Sequence, residues 1–281
     1  MNYQELYQEC SAALKTAEIE NYRNEARWLV LEPFQLSSGE LYSASPVPPE
    51  RIELVRQLCA RRCQHEPLQY LLGSAPFGEL ELTVTPAVLI PRCETVVLAE
   101  FVLQHLPSGA ALLDVGCGSG AIALLAASRR PDIRVTAVDR SPDALRVAEL
   151  NAHNLKLAAV PEFLESDLLD ALADRRFEVI VANLPYVTFE EYAELAPDVR
   201  EYEPQMALTA DDNGMALISR LIADSPEHLT CGGVLALEMS PHQTCRAANE
   251  MKQCGFEDIS VFADQFGKKR FVAGVLRKHL K

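Results

Sequence analysis

Three short stretches of this sequence hold residue types whose chemistry depends on standing at the end of a strand. Leu112-Leu113-Asp114-Val115 is a short apolar strand leading into Gly116-Cys117-Gly118-Ser119-Gly120. Glycines there let the chain turn sharply and bring its backbone against a ligand. Taken alone, the pattern suits a dinucleotide enzyme equally well. The next strand ends at Asp139, nineteen residues after Gly120, where a carboxylate can accept hydrogen bonds from both hydroxyls of a ribose. The dinucleotide fingerprint needs a third glycine where Ala121 stands, so a pyrophosphate ligand is disfavoured. A nucleoside without phosphates still needs a partner for its base amine, and Ser166-Asp167, followed by Leu168, ends the third strand where it could supply one. Both carboxylates have structural alternatives; Asp139 could simply cap the helix that begins at Ser141.

The fourth strand, Val179-Ile180-Val181-Ala182, delivers Asn183-Leu184-Pro185-Tyr186 to the carboxyl edge of the sheet, where open α/β folds bind ligands. An amide nitrogen is a poor nucleophile because its lone pair is delocalised. Two acceptors aimed at its N–H bonds would direct the lone pair toward an electrophilic methyl group and stabilise the positive charge that develops on nitrogen. The Asn183 side-chain oxygen and the Leu184 carbonyl are the candidate acceptors, with Asn183 also within reach of the methyl donor. Pro185 presets the backbone between them and Tyr186, whose flat face can stack on a planar amide or base. Such a site needs neither a metal nor a strong base. In isolation, Asn-x-Pro-Tyr is also a plausible turn.

Alternating elements must position these residues. Strands are expected at 111–115, 133–138, 160–164, 177–182, 233–238, 256–262 and 270–276, and helices at 94–106, 120–129, 142–154, 213–223 and 241–253. Ser141-Pro142 is a good helix start: a hydroxyl caps free amides, and proline is preformed for the first helical position. This strand–helix alternation implies an α/β domain with a mainly parallel sheet. Before it, residues 1 to 63 place Leu6, Ala13, Leu14, Ala26, Trp28, Leu29, Ile52, Leu54, Val55 and Leu58 at helical spacing, broken at Pro33, Ser37-Ser38-Gly39 and Pro46-Val47-Pro48-Pro49. That is a small all-α bundle. Leu80-Glu81-Leu82-Thr83-Val84 alternates as a strand, which makes residues 64–86 a linker with a β-hairpin and 87–281 the α/β domain.

The net charge of −14 argues against a broad nucleic-acid surface, because backbone affinity comes from Lys and Arg neutralising phosphates. A neutral or basic protein partner fits better. No stretch approaches the ~20 apolar residues of a membrane span, and the first residues carry no basic-then-apolar leader, so a cytoplasmic protein is expected. The eight cysteines have no zinc-ligand spacing. Cys59 and Cys63 sit four apart on an expected helix, a pair better read as buried thiols than as metal ligands.

With these residues on the page, the chain resembles the release-factor glutamine methyltransferases over nearly its full length. The resemblance is carried by Pro67-Leu68-Gln69-Tyr70-Leu71-Leu72-Gly73, by Val88-Leu89-Ile90-Pro91-Arg92-Cys93-Glu94-Thr95, by Asp114 through Leu124, and by Val199-Arg200-Glu201-Tyr202-Glu203-Pro204. It implies a seven-stranded, Rossmann-like S-adenosylmethionine-dependent methyltransferase domain behind a helical substrate-docking domain and a hairpin linker. It also implies methylation of the glutamine amide in the Gly-Gly-Gln loop of peptide-chain release factors, with S-adenosylhomocysteine as product. Gly116, Cys117, Gly118, Ser119, Gly120, Asp139, Asp167 and Leu168 would then hold the cofactor, Asn183 to Tyr186 the glutamine, and the protein would act as a monomer. Two departures stand out: Cys93 and Leu184 replace prolines usual in the family. Because Asn-Leu-Pro-Tyr also resembles the motif of ribosomal-RNA adenine dimethyltransferases, that activity is one alternative. A non-catalytic adenosyl-binding module is another.

Overall fold

The apolar spacing at the start of the chain does form helices, α1 (Tyr3–Thr16), α2 (Tyr22–Leu31) and α3 (Pro49–Arg62), and a further short helix, α4 (Leu68–Leu72), lies in the stretch expected as linker. A capping box opens α1, with the Asn2 side chain accepting from the Glu5 amide at 2.8 Å and the Glu5 carboxylate accepting from the Asn2 amide at 2.9 Å. Leu6, Cys10 and Leu14 then face Ala26, Leu29, Val30, Val55, Leu58 and Cys59 in one core. Trp28 and Leu54 share the apolar spacing but are each 40% exposed. Cys59 is a thiol buried in that core, its Sγ 3.8 Å from the Cys10 carbonyl. The computed structural model describes residues 1–277. It separates into two units, Met1–Ser74 with Ala196–Tyr202, and Ala75–Leu195 with the chain from Glu203 onward.

The second unit begins one residue into the hairpin of β1 (Ser74–Phe77) and β2 (Leu80–Thr83) and continues as α5 (Thr95–His105), β3 (Ala111–Val115), α6 (Ala121–Arg129), β4 (Arg134–Asp139), α7 (Pro142–Leu155), β5 (Glu162–Glu165), β6 (Phe177–Asn183) and α8 (Phe189–Ala193). After α9 (Pro197–Tyr202), which belongs to the first unit, come α10 (Ala216–His228), β7 (Leu229–Glu238), α11 (Thr244–Gln253), β8 (Phe256–Ala263) and β9 (Lys269–Leu276). The seven strands β3 to β9 form one sheet in the order β5-β4-β3-β6-β7-β9-β8. All neighbours are parallel except β9, which runs antiparallel to both β7 and β8. Helices cover both faces, so central strands read as continuous apolar runs, and separate apolar cores lie on the two sides of the sheet.

The expected strands all exist, with ends moved by a few residues. The largest difference is β7, which starts at Leu229 rather than 233. The expected 213–223 helix instead begins at Ala216 and continues through Pro226 to His228. Proline cannot donate to the Ile222 carbonyl, and the Ser225 hydroxyl donates to it instead at 3.2 Å. Ser141 caps α7 by accepting from the Ala144 amide at 3.2 Å, as the sequence suggests.

The chain leaves β3 toward β4 on one side and returns through β6 on the other, so a switch point opens between the carboxyl ends of β3 and β6. Val115 lies level with Ala182. The glycine turn and Asn183 therefore emerge side by side.

Candidate active site

At this switch point is a cleft of about 380 Å³, within the size range of small-molecule sites. Its walls include Gly116, Cys117, Gly118 and Ser119 after β3, Asp139 at the end of β4, Asp167 and Leu168 after β5, Asn183 at the end of β6, and Leu184 and Pro185 after it. Gly120 and Tyr186, the other two candidates, lie off this wall. Gly120 begins α6 at φ +82°, and a β-carbon there would stand 2.9 Å from Leu124 Cδ1 and 3.2 Å from the Ala148 β-carbon. Its glycine is required by close packing under the helix. Tyr186 lines a neighbouring hollow with Glu190, Glu191 and Glu194.

The glycine turn is tied down from several directions. The Gly116 and Cys117 amides both donate to the Val138 carbonyl, at 2.8 and 3.0 Å. The Gly118 amide donates to Asp139 Oδ2 at 2.8 Å, and the Ser141 amide to its Oδ1 at the same distance. Asn151, buried on α7, donates to the Ser119 carbonyl and to the Thr83 carbonyl and accepts from the Thr83 amide. One side chain thus joins the hairpin, the turn and α7. Burial pushes the Asp139 carboxyl above its ordinary range, against the pull of those amide donors.

Asp114 is a second buried carboxylate on the cleft wall. It interrupts the apolar β3, accepts from the Ala123 amide at 3.0 Å, and burial raises it to about 7. The sequence motif contains Asp114, but neither spacing nor propensity says that it faces the ligand side. Asp167 is half-exposed and ion-paired through Oδ1 to Arg220 at 2.8 Å.

At the end of β6, Asn183 Nδ2 donates to Thr95 Oγ1 at 3.1 Å. That bond commits the amino end of the amide and leaves Oδ1 as the acceptor. The next residues are pinned from outside the motif. Gln243 Nε2 donates to the carbonyls of Tyr186 and Asn213, each at 2.9 Å, and the Val187 amide donates to the Leu208 carbonyl at 2.9 Å. Burial raises the Tyr186 phenol to about 12, with the Glu238 charge adding to it. Two of the segments that carried the resemblance also meet: Glu203 accepts from the Ile90 amide at 3.0 Å and pairs with Arg92.

Relatives match this arrangement over nearly the whole chain. A family model described as the PrmC N-terminal domain matches residues 5–73, and one described as the methyltransferase small domain matches residues 97–196. A release factor glutamine methyltransferase of Geobacter sulfurreducens is 38% identical, covering 91% of this chain and 90% of its own length. One from Mycolicibacterium smegmatis is 36% identical over 93% of each. Among solved structures, the T. thermophilus 16S rRNA N2 G1207 methyltransferase in complex with AdoMet and guanosine aligns at TM-score 0.55 and 20% identity, covering 73% of this chain and 50% of that one. A methyltransferase from Pyrococcus furiosus aligns at 0.53 and 16%, covering 71% and 90%. Those two share the fold. The sequence relatives match this chain through both its helical and its α/β regions, and on that extent and identity the chain belongs to the family of release factor glutamine methyltransferases.

Proposed function

We propose that the protein transfers a methyl group from S-adenosylmethionine to the side-chain amide nitrogen of the glutamine in the Gly-Gly-Gln loop of a peptide-chain release factor. The observation that carries this reading is the position of Asn183. It stands at the carboxyl end of β6 beside the glycine turn, with its amino group committed to Thr95 and its oxygen free to accept.

The cleft suits such a cofactor. S-adenosylmethionine supplies a methyl group on a positively charged sulfur, and two desolvated carboxylates, Asp114 and Asp139, favour a cationic ligand. Each Asp139 oxygen that takes one backbone amide keeps a lone pair for a ribose hydroxyl. Asp167 and Leu168 stand where the base would lie. Asp167 can still receive an amine, because a carboxylate paired with Arg220 has further acceptor sites.

The residues around the target do the rest. Asn183 Oδ1 and the Leu184 carbonyl accept the two N–H bonds of the glutamine amide, orient its lone pair toward the methyl carbon and stabilise charge as the new N–C bond forms. When bound, S-adenosylmethionine would give up the methyl carbon and keep the carbon–sulfur electron pair, and the amide nitrogen would lose one proton to solvent. Tyr186 offers its face to the planar amide. We assign the helical unit, with its own core and its capped first helix, to docking of the release factor. With such a substrate the compartment we propose for the reaction is the cytoplasm.

The test is incubation with methyl-labelled S-adenosylmethionine and, separately, an intact release factor or ribosomal RNA. Label on one glutamine of the release factor, located by peptide mass spectrometry, is the expected result. Label only on RNA would replace this reading with an adenine methyltransferase, and cofactor binding without any transfer would reduce it to a binding module.

A further inference from the structure

Glu238 is the last residue of β7. It lies level with Asn183 on one neighbouring strand and Phe271 on the other. It is 2% exposed, and its Oε2 has no hydrogen-bond partner among the described residues. An unsatisfied buried carboxyl oxygen costs stability, so its presence at the edge of a chemical site calls for a reason. Burial pushes this carboxyl up to about 7, while the Thr95 hydroxyl, within hydrogen-bonding reach, pulls it down. Arg270 from β9 and Arg92 before α5 act on it as positive charges, and Glu94 as a negative one; Tyr186 is coupled to it from the loop after β6. The Thr95 hydroxyl, 5% exposed, is also the acceptor for Asn183 Nδ2.

A hydroxyl has one proton to donate. When Glu238 is ionised, Thr95 directs its proton to it and presents only lone pairs to Asn183. The Asn183 amide can then meet Thr95 only with its NH₂ end. If the carboxylate is removed, the Thr95 proton is free to turn to Asn183, which can rotate its amide by half a turn and bind through Oδ1. Its NH₂ would then face the substrate amide, donor against donor.

We propose that Glu238 is a positioning residue for methyl transfer, acting through the Thr95 hydroxyl to fix which end of the Asn183 amide faces the substrate. This rests on the reading of Asn183 as the acceptor for the substrate amide. Glu238 touches neither the cofactor nor the glutamine; its effect passes along Glu238, Thr95 and Asn183.

Three variants test it in single-turnover methylation of a release factor at saturating S-adenosylmethionine. Glu238→Leu, close in volume, and Thr95→Val should each lower the rate roughly tenfold or more, with cofactor affinity by calorimetry unchanged. Glu238→Leu should also melt no lower than the wild type, since it removes an unsatisfied buried carboxyl. A residue that merely supports the fold would show the reverse, lower melting and weaker cofactor binding together. Thr95→Ser, which keeps the hydroxyl, should recover most of the rate lost in Thr95→Val. Placed on an Asn183→Ala background, Glu238→Leu should cost nothing further. A wild-type rate in both Glu238→Leu and Thr95→Val, or full additivity with Asn183→Ala, overturns the relay. If Asn183→Ala alone is fully active, it is the acceptor assignment that fails, and the two failures are told apart by that single variant.

Discussion

Leu184 Cδ2 fills the space that a β-carbon on Gly116 would need, the two being only 2.9 Å apart. The Asn183–Tyr186 motif and the glycine turn are therefore closely packed, and Gly116 must be glycine twice over, for this contact and for its φ of +73°. Gly116→Ala is expected to destabilise the protein by roughly 1–3 kcal/mol and weaken cofactor binding. Leu184→Ala on top of it should return part of the stability, because it relieves the clash but leaves the backbone strain. Thermal melts of the two single variants and the double variant measure this, and strict additivity would mean that the side chains do not compete for one space.

Asn183→Ala should lower the single-turnover rate at least roughly a hundredfold while leaving cofactor affinity intact, since it deletes a preorganised acceptor. Leu184→Pro keeps the carbonyl and should stay within about tenfold of wild type in rate. It gives up a side chain only 4% exposed, so a loss of roughly 1–3 kcal/mol in stability is expected from the cavity left behind. A variant with intact stability and a collapsed rate would show that the leucine matters to the chemistry and not to packing.

Asp139→Ala should weaken S-adenosylmethionine binding at least tenfold by calorimetry, because hydrogen bonds to a charged acceptor are worth roughly 1.5–3 kcal/mol each. The same change strips acceptors from the Gly118 and Ser141 amides. A modest fall in melting temperature should accompany it.

Gln243→Ala removes the donor that holds both the Tyr186 and Asn213 carbonyls. Methylation of the release factor should fall and its KM rise, with cofactor affinity unchanged, because this clamp holds the loop after Asn183 and the turn before α10 and makes no hydrogen bond to the glycine turn. Equal loss of cofactor binding would place the clamp elsewhere in the mechanism.

Asp114 and Glu238 are both raised to about 7 by burial, whereas the unfolded chain ionises them near roughly 4. The folded state therefore holds more protons in between, and stability in the absence of ligand should decline as pH rises from about 4 to 7 and level off above. Carboxylates lowered by ion pairs, such as Asp132 beside Arg130, act in the opposite direction but only at the acid end. Asp114→Asn should flatten the slope without abolishing the bond to the Ala123 amide. Chemical denaturation at a series of pH values checks the sign, and stability rising steadily across this window would contradict it.

The strands, the glycine turn, Asp139 and the Asn183 motif were legible because each is a local pattern, an apolar run ended by a residue with a distinctive job. Helices α8 and α9 were not expected, being short segments rich in acids without an apolar period. α10 was cut short in expectation at a proline whose missing donor Ser225 replaces, a substitution that only the folded geometry reveals. Thr95, Asn151 and Gln243 escaped notice because what they hold lies far along the chain. Glu238 did have a signal. Like Asp139 it is a lone acid closing an apolar strand at the sheet's carboxyl edge, and the rule that found one could have found the other.

Asn151 also bears on the order in which the protein is made. The carbonyl of Ser119 and both backbone groups of Thr83 are satisfied by a side chain that the ribosome adds later, and the amides of Gly116 and Cys117 wait for Val138 in the same way. On a growing chain the turn after β3 has its glycines long before it has its shape. A nascent polypeptide that ends before Asn151 should hold no set glycine turn, so any ligand of that turn should bind only after β3, β4 and most of α7 have been made.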